Sequence, residues 1–413
     1  MKTFLPIILG TDANAYGLAR SFYDKYKIKS LAVGSFALRE TKNSKIMDVL
    51  TIKNFQNEDV FLEKLIEIGQ KYKKQYDALI LLSCAEWYTN PIVNNKEKLE
   101  KYFILPFMNK EIKDELEDKE KFYNICEKYN LDYPKTYIVT QKNKDEINLP
   151  FPFPVALKPS NSTAYSKVTF AGKEKSYKIT NTKDLNETIN KIFSSGYNDH
   201  IIIQDFIPGL DDTMYVLNCY SNKEGKVKMM CLGRCILEEH TPYGVGNYKA
   251  IISMGNKEIY EKIKYFLEQI KYVGFSNFDL KYDYRDKKYK LFEINIRQGR
   301  SSYFTTACGK NLAQYLIEDY ILNENKETDY NYNEFLWLHT PKVLLKKYIY
   351  NKETLEKALT LIKEKKYAYT LKNKKDNSLI RTFWINRIYN KDKKMFKLYP
   401  PKKDDELWNM IWE

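Results

Sequence analysis

The rhythm of the chain changes near Asp118. Before it, apolar strand runs alternate with helical patterns; after it, short alternating strands dominate to about residue 300. One sheet cannot satisfy both patterns, so the sequence calls for differently built domains, as does a length of 413 residues. Strand runs at 5–10, 30–34 and 77–83, with helical patterns at 16–27 and 59–74, predict a parallel, doubly wound sheet over residues 1–115. Asp12 and Asn14 fall just past the carboxyl end of the first strand, where open α/β sheets place ligands, and Arg20 follows on the next helix. These three are candidates to bind a large acceptor, while Tyr16 and Gly17 fit packing equally well.

From about 116 to 325 the pattern is α+β, with helices expected at 184–195, 257–271 and 311–323 and tight turns at 221–225 and 284–287. Residues 326–413 turn polar and lysine-rich and carry no chemistry-bearing motif. No run approaches the eighteen apolar residues of a membrane span. The opening run reads as a first strand rather than a signal peptide, so a cytoplasmic location is expected. Six cysteines without paired spacing fit reduced thiols, and three histidines complete no zinc set. The net charge of +14 leaves two readings open, solvated lysine faces or a field that attracts anions such as nucleotides. A nucleic-acid partner is not indicated, because no dense basic run is interleaved with aromatics.

The most informative stretch is SNFDLKYDYRDKKYKLFEINIRQGRSS, residues 276–302. Two strands joined by a tight turn would put Asp279 on one and Glu293 with Asn295 on the other. Glu293 and Asn295, two apart, share a face. Two carboxylates and an amide oxygen are hard ligands suited to Mg²⁺. Arg297 continues that face and Arg300 follows, and a metal flanked by arginines is what phosphoryl transfer needs. A solvated surface hairpin explains the turn residues but not Glu293 and Asn295, which interrupt an apolar strand.

Lys158 ends an apolar run in VALKPS, where burial favours an anionic partner such as phosphate, and Lys119 on the preceding helix is a second candidate. In HIIIQDFIPGLDD, residues 200–212, a strand ends in Asp205, Phe206 and Ile207 before a Pro-Gly turn. Such an end offers backbone groups to a purine, with Asp212 placed to accept from ribose hydroxyls. Arg234 follows another apolar strand. It reads either as a surface arginine or as a bidentate grip on a substrate carboxylate.

The order and spacing of these clusters resemble the ATP-grasp superfamily. That resemblance implies two α+β lobes closing on ATP and Mg²⁺, preceded by a Rossmann-like domain. It casts Lys119 and Lys158 as phosphate ligands, Asp205 and Ile207 as the adenine-contacting pair and Asp212 as the ribose acceptor. Asp279, Glu293 and Asn295 become the metal ligands, with Arg297 and Arg300 facing the transferred phosphoryl group. Two departures stand out: Asp205 replaces the commoner glutamate, and the loop SNSTAYSKVTFAGK is poor in glycine. The segments PIILGTDANAYGLARSF, PVALKPSNS, IIIQDFIPG, MMCLG, TPYGVGNY and FEINIRQGRSS, with Trp337, Pro341 and Lys342 beyond, are similar to the bacterial D-aspartate ligase family. This narrower likeness implies joining the β-carboxylate of D-aspartate to the lysine side-chain amine of a UDP-linked peptidoglycan precursor. An L-amino-acid or dipeptide ligase, and a non-catalytic nucleotide binder, remain alternatives. The sequence is silent on oligomeric state.

Overall fold

The computed structural model describes residues 2–242 and 244–401; Met1, Tyr243 of the TPYGVGNY segment, and 402–413 of the C-terminal segment lie outside the described residues. The first domain holds four parallel strands, β1 (Phe4–Leu9), β2 (Ser30–Gly34), β3 (Met47–Thr51) and β4 (Ala78–Ser83), in the order β3-β2-β1-β4. The strands β1, β2 and β4 are almost wholly buried, which is why they read as unbroken apolar runs. Edge strand β3 is largely exposed, and its mixed MDVLT sequence left it unforeseen. Helix Ala13–Tyr26 starts at Asp12, whose carboxylate accepts from the backbone N–H groups of Asn14 and Ala15.

The α+β part forms two antiparallel sheets, as expected. The smaller contains β5 (Thr136–Val139), β6 (Val155–Pro159), β7 (Tyr177–Ile179) and β8 (Ile201–Asp205), ordered β5-β8-β6-β7. Helix Thr182–Ser194 covers it with Leu185, Ile189, Ile192 and Phe193, spaced along one stripe. The larger sheet runs β13-β12-β9-β10-β11-β15-β16. Its strands are β9 (Met214–Ser221), β10 (Val227–Glu238), β11 (Tyr248–Met254), β12 (Gly274–Asp283), β13 (Lys288–Asn295), β15 (Leu336–Leu338) and β16 (Tyr367–Tyr369). A short β14 (Asp329–Tyr330) pairs in parallel with β10. Both foreseen turns close hairpins, β9–β10 and β12–β13.

One face of this sheet packs on helix Lys257–Gln269 through Leu217, Leu232, Phe278 and Leu280. The other carries Val216, Cys235 and Ile251 and meets the helices Ala13–Tyr26 and Leu312–Tyr320. The first domain therefore sits on the sheet face that also bears Asp279.

The chain after residue 326 adds β14, β15 and β16 to the large sheet and ties back to the first domain. Asp376 accepts hydrogen bonds from the Tyr16 hydroxyl at 2.8 Å, Ser44 at 2.7 Å and the Lys45 N–H at 2.6 Å. Arg381 lies 3.2 Å from Asp376 with 1% of its side chain exposed, and donates to the carbonyls of Glu40 and Lys42. Removing one partner of a buried pair strands the other charge. Arg381→Met should therefore cost about 3–5 kcal/mol in urea unfolding of the full chain. Lys64→Ala breaks only exposed pairs with Glu63 and Glu67 and should leave the urea midpoint essentially unchanged.

Candidate active site

Strands β12 and β13 place Asp279 directly opposite Glu293 and Asn277 opposite Asn295, with a β-bulge just after Asp279. Facing residues of an antiparallel pair point to one side, so the two carboxylates meet. The Tyr248 hydroxyl donates to one Asp279 oxygen at 2.9 Å, and the Asn295 amide donates to the other at 3.2 Å. Arg297 donates to the Asn295 amide oxygen and to Glu86, both at 3.2 Å. Burial, then the charge of Glu293, pushes Asp279 up to about 7. Glu293 is pulled the other way, to about 2, by Lys119 with Lys158 and Lys175 behind it. Lys119 Nζ lies 3.4 Å from a Glu293 carboxylate that is 42% exposed to the cleft.

This donor set fits a magnesium ion. Two carboxylates repel each other across the hairpin, and a divalent cation between them would remove the repulsion. Among the described residues no three histidine, cysteine or acidic side chains gather as a metal site. Phosphate and water oxygens would therefore complete the shell, as Mg²⁺ prefers.

Lysines close the other side. Lys119 opens helix Lys119–Lys128, capped by Asp118. Lys158 projects from β6 with its Nζ 5.7 Å from the Phe292 ring centroid. Burial lowers its pKa, and among the described residues no carboxylate comes within ion-pair distance. Lys175, which sequence reasoning missed, lies two residues past the glycine-poor loop and donates to the Val245 carbonyl at 2.8 Å. Its charge bears on both Lys158 and Glu293. Three cations around one carboxylate leave room for further negative charge, which a polyphosphate supplies.

The end of β8 is arranged differently from expectation in part. The carboxylate of Asp205 is held by Arg285 at 2.8 and 3.1 Å, so its backbone rather than its side chain is what it can offer a purine; Ile207 beside it is buried. Asp212 does not open to the cleft. Its carboxylate accepts from Arg234 at 3.0 Å and Thr354 at 3.1 Å, while Arg234 Nε donates to its carbonyl at 2.7 Å. Arg234 pairs with Tyr215, which pairs with Leu280, one step out of phase with Asp279, so it lies on the opposite face of the sheet. The neighbouring Asp211 faces inward instead. It accepts from the Glu238 N–H at 2.8 Å and lies 3.0 Å from His240 Nε2. Lys281 donates to the Gly209 carbonyl at 3.2 Å. Its pKa falls to about 8 through burial, although the charges of Glu238 and Asp211 raise it. Sequence reasoning missed Asp211, Glu238, His240 and Lys281; for Lys281 the available signal was a charged residue two places after Asp279 in an apolar strand.

In the first domain, Asn14 donates to the Cys84 carbonyl at 3.1 Å and accepts from Gln298 at 3.5 Å, which joins β4 to the loop bearing Arg297 and Arg300. Arg20 is placed away from any cleft. It donates to the carbonyls of Tyr369 and Thr370 at 2.5 and 2.9 Å and stacks on Tyr303 at 4.5 Å, so it braces packing. Arg300 is exposed.

No protein-family model matches the chain. It is 41% identical to D-aspartate ligase of Enterococcus faecium (strain Aus0004) over 408 residues, 96% of this chain and 97% of that one. Among solved structures it is similar to an L-amino acid ligase from Bacillus licheniformis (16% identity, 77% of this chain and 74% of the other, TM-score 0.54). It is also similar to an ADP complex of N5-carboxyaminoimidazole ribonucleotide synthetase (13%, 81% of each chain, TM-score 0.57). A third is the biotin carboxylase domain of Hydrogenobacter thermophilus 2-oxoglutarate carboxylase with MgADP (12%, 80% of this chain and 72% of the other, TM-score 0.57). At these identities the structural likeness speaks for the fold, which is ATP-grasp.

Lys158→Met keeps the apolar stem and removes the unpaired charge. It should weaken binding of Mg-ATP by roughly 10- to 100-fold in calorimetric titration, the worth of a hydrogen bond to a charged group, with unchanged circular dichroism.

Proposed function

The chain belongs to the D-aspartate ligase family and is an ATP-dependent carboxylate–amine ligase, and on that premise we propose that it joins the β-carboxylate of D-aspartate to the lysine side-chain amine of a UDP-linked peptidoglycan precursor. The observation that carries this reading is identity of 41% along nearly the whole of both chains. It extends through the segments outside the ATP-grasp motifs, where substrates are selected.

Asp279, Glu293 and Asn295 would hold Mg²⁺, which when bound neutralises charge on the β- and γ-phosphates. Lys158 and Lys175 would face the same phosphates from the smaller lobe, and Lys119 from the helix that packs with the large sheet. The backbone after β8 takes the adenine, with Asp211, rather than Asp212, toward the ribose. An aspartate β-carboxylate oxygen attacks the γ-phosphorus, forming a P–O bond as the bond to ADP breaks. Arg297, fixed by Asn295 and Glu86, opposes the charge that develops. The deprotonated amine then attacks the acyl carbon, and phosphate leaves with the electron pair of the broken C–O bond. Closure of the lobes excludes water from the acyl phosphate.

ATP, D-aspartate and a UDP-linked acceptor are all anionic, and a net charge of +14 favours their capture. Among the described residues no helix is long and apolar enough to cross a membrane. A nucleotide-linked precursor and ATP place the reaction in the cytoplasm.

The test is ADP release from Mg-ATP with D-aspartate, L-aspartate and other amino acids, each with and without a lysine-containing muropeptide precursor. Turnover should require D-aspartate and the precursor together, and the product should gain one aspartyl mass; turnover with another pair would reject this substrate assignment. Glu293→Gln should abolish phosphate release while leaving the thermal unfolding profile intact, and normal turnover would remove it from the metal site.

A further inference from the structure

We propose that Arg300 and His339 form the subsite that holds the non-reacting carboxylate of the amino-acid substrate. This rests on the reading above that the substrate is a dicarboxylic amino acid, and it adds where the second carboxylate is held.

The placement comes from the outer strands of the large sheet. In β11 and β15, Ile251 faces Trp337 and Ala250 faces Leu338. His339, just past β15, donates its N–H to the Lys249 carbonyl at 2.8 Å. Trp337 packs in the cluster that contains Tyr248 and Ile251, on the face where Tyr248 reaches Asp279. Two residues on, the His339 ring stacks parallel to the Trp337 ring, with centroids 5.9 Å apart and planes at 4°. His339 therefore lies on the catalytic face.

Only 7% of His339 is exposed, and its Nδ1 is buried with no hydrogen-bond partner. A buried polar atom left unpaired is destabilising, so a bound ligand that pairs it has an advantage to offer. Burial and the charges of Lys249 and Arg300 hold the ring neutral. The two cations differ. Lys249 is matched by Glu239 and Asp392, each at 3.1 Å. Arg300 has no carboxylate within ion-pair distance among the described residues. The helix Tyr303–Ala307 that follows it packs against β15, which brings its loop beside the strand that leads into His339, and its charge bears on His339. A guanidinium fork and a ring nitrogen, both lacking partners, suit an anion with two acceptor oxygens. On the reading above, Lys119, Lys158 and Lys175 serve the phosphates, which leaves a carboxylate for this pair. Arg234, the sequence candidate for this grip, is bound to Asp212 on the other face.

The test compares the full chain with His339→Phe, which keeps a ring against Trp337 and removes both nitrogens. The KM for D-aspartate should rise roughly tenfold or more, while the KM for Mg-ATP stays put, and His339→Asn, which restores a donor, should recover part of the loss. With 3-aminopropionate, which is aspartate without its α-carboxylate, the variant and parent should have equal KM. An unchanged KM for D-aspartate, or a rise that persists with 3-aminopropionate, overturns the subsite. If His339→Phe does not fold, His339→Leu, which also removes both ring nitrogens, enters the same comparison with the same expected outcome. If the parent uses a different dicarboxylic acid, the D-aspartate reading fails, but the comparison with that acid and its monocarboxylic analogue still decides the subsite. Turnover of monocarboxylic acids alone overturns both.

Discussion

Asp279 and Glu293 face each other across a hairpin, and two carboxylates so placed repel. Everything around them answers that repulsion. Asp279 is held by Tyr248 and Asn295 and keeps a proton to unusually high pH, while Glu293 stays ionised because Lys119, Lys158 and Lys175 surround it. Without ligands the acidic pair is balanced by Lys119, which lies against Glu293, while Lys158 on the smaller lobe has no carboxylate within ion-pair distance among the described residues. A magnesium nucleotide would satisfy both halves, cation to the acids and phosphates to the lysines.

The second consequence is that the first domain cannot be a detached appendage. It packs on the catalytic face of the large sheet, where Asn14 meets Gln298 and Glu86 meets Arg297. The chain beyond residue 326 closes the arrangement by adding strands to the sheet and burying Arg381 against Asp376 and Tyr16. A substrate reaching the arginine loop therefore lies among three parts of the chain, which offers selective contacts from regions that carry no ATP-grasp motif.

The parts of this arrangement that could be read in the sequence share a physical reason. Glu293 and Asn295 stood out because polar side chains interrupt an otherwise apolar strand, and period-two alternation then gave their common face. Buried parallel strands announced themselves as apolar runs. Other features turn on a single residue step. Asp211 and Asp212 are adjacent on one tight turn, and only the fold decides which carboxylate faces inward. Arg234 is one place from Gly233, the residue in line with Asp279, so a plausible carboxylate grip lies on the wrong side of the sheet. Lys175 and Lys281 were hidden among 68 lysines and arginines. The three-residue strands β15 and β16 depend on partners far away in sequence, so His339 gave no local signal.

The central claim is that a substrate carboxylate becomes an acyl phosphate in this cleft. The most direct measurement supplies D-aspartate labelled with ¹⁸O in its β-carboxylate and analyses the inorganic phosphate released with product. The account predicts one ¹⁸O in that phosphate, carried across when the acyl C–O bond breaks. Unlabelled phosphate, or labelled phosphate from a second sample that carries ¹⁸O only in the α-carboxylate, would contradict it.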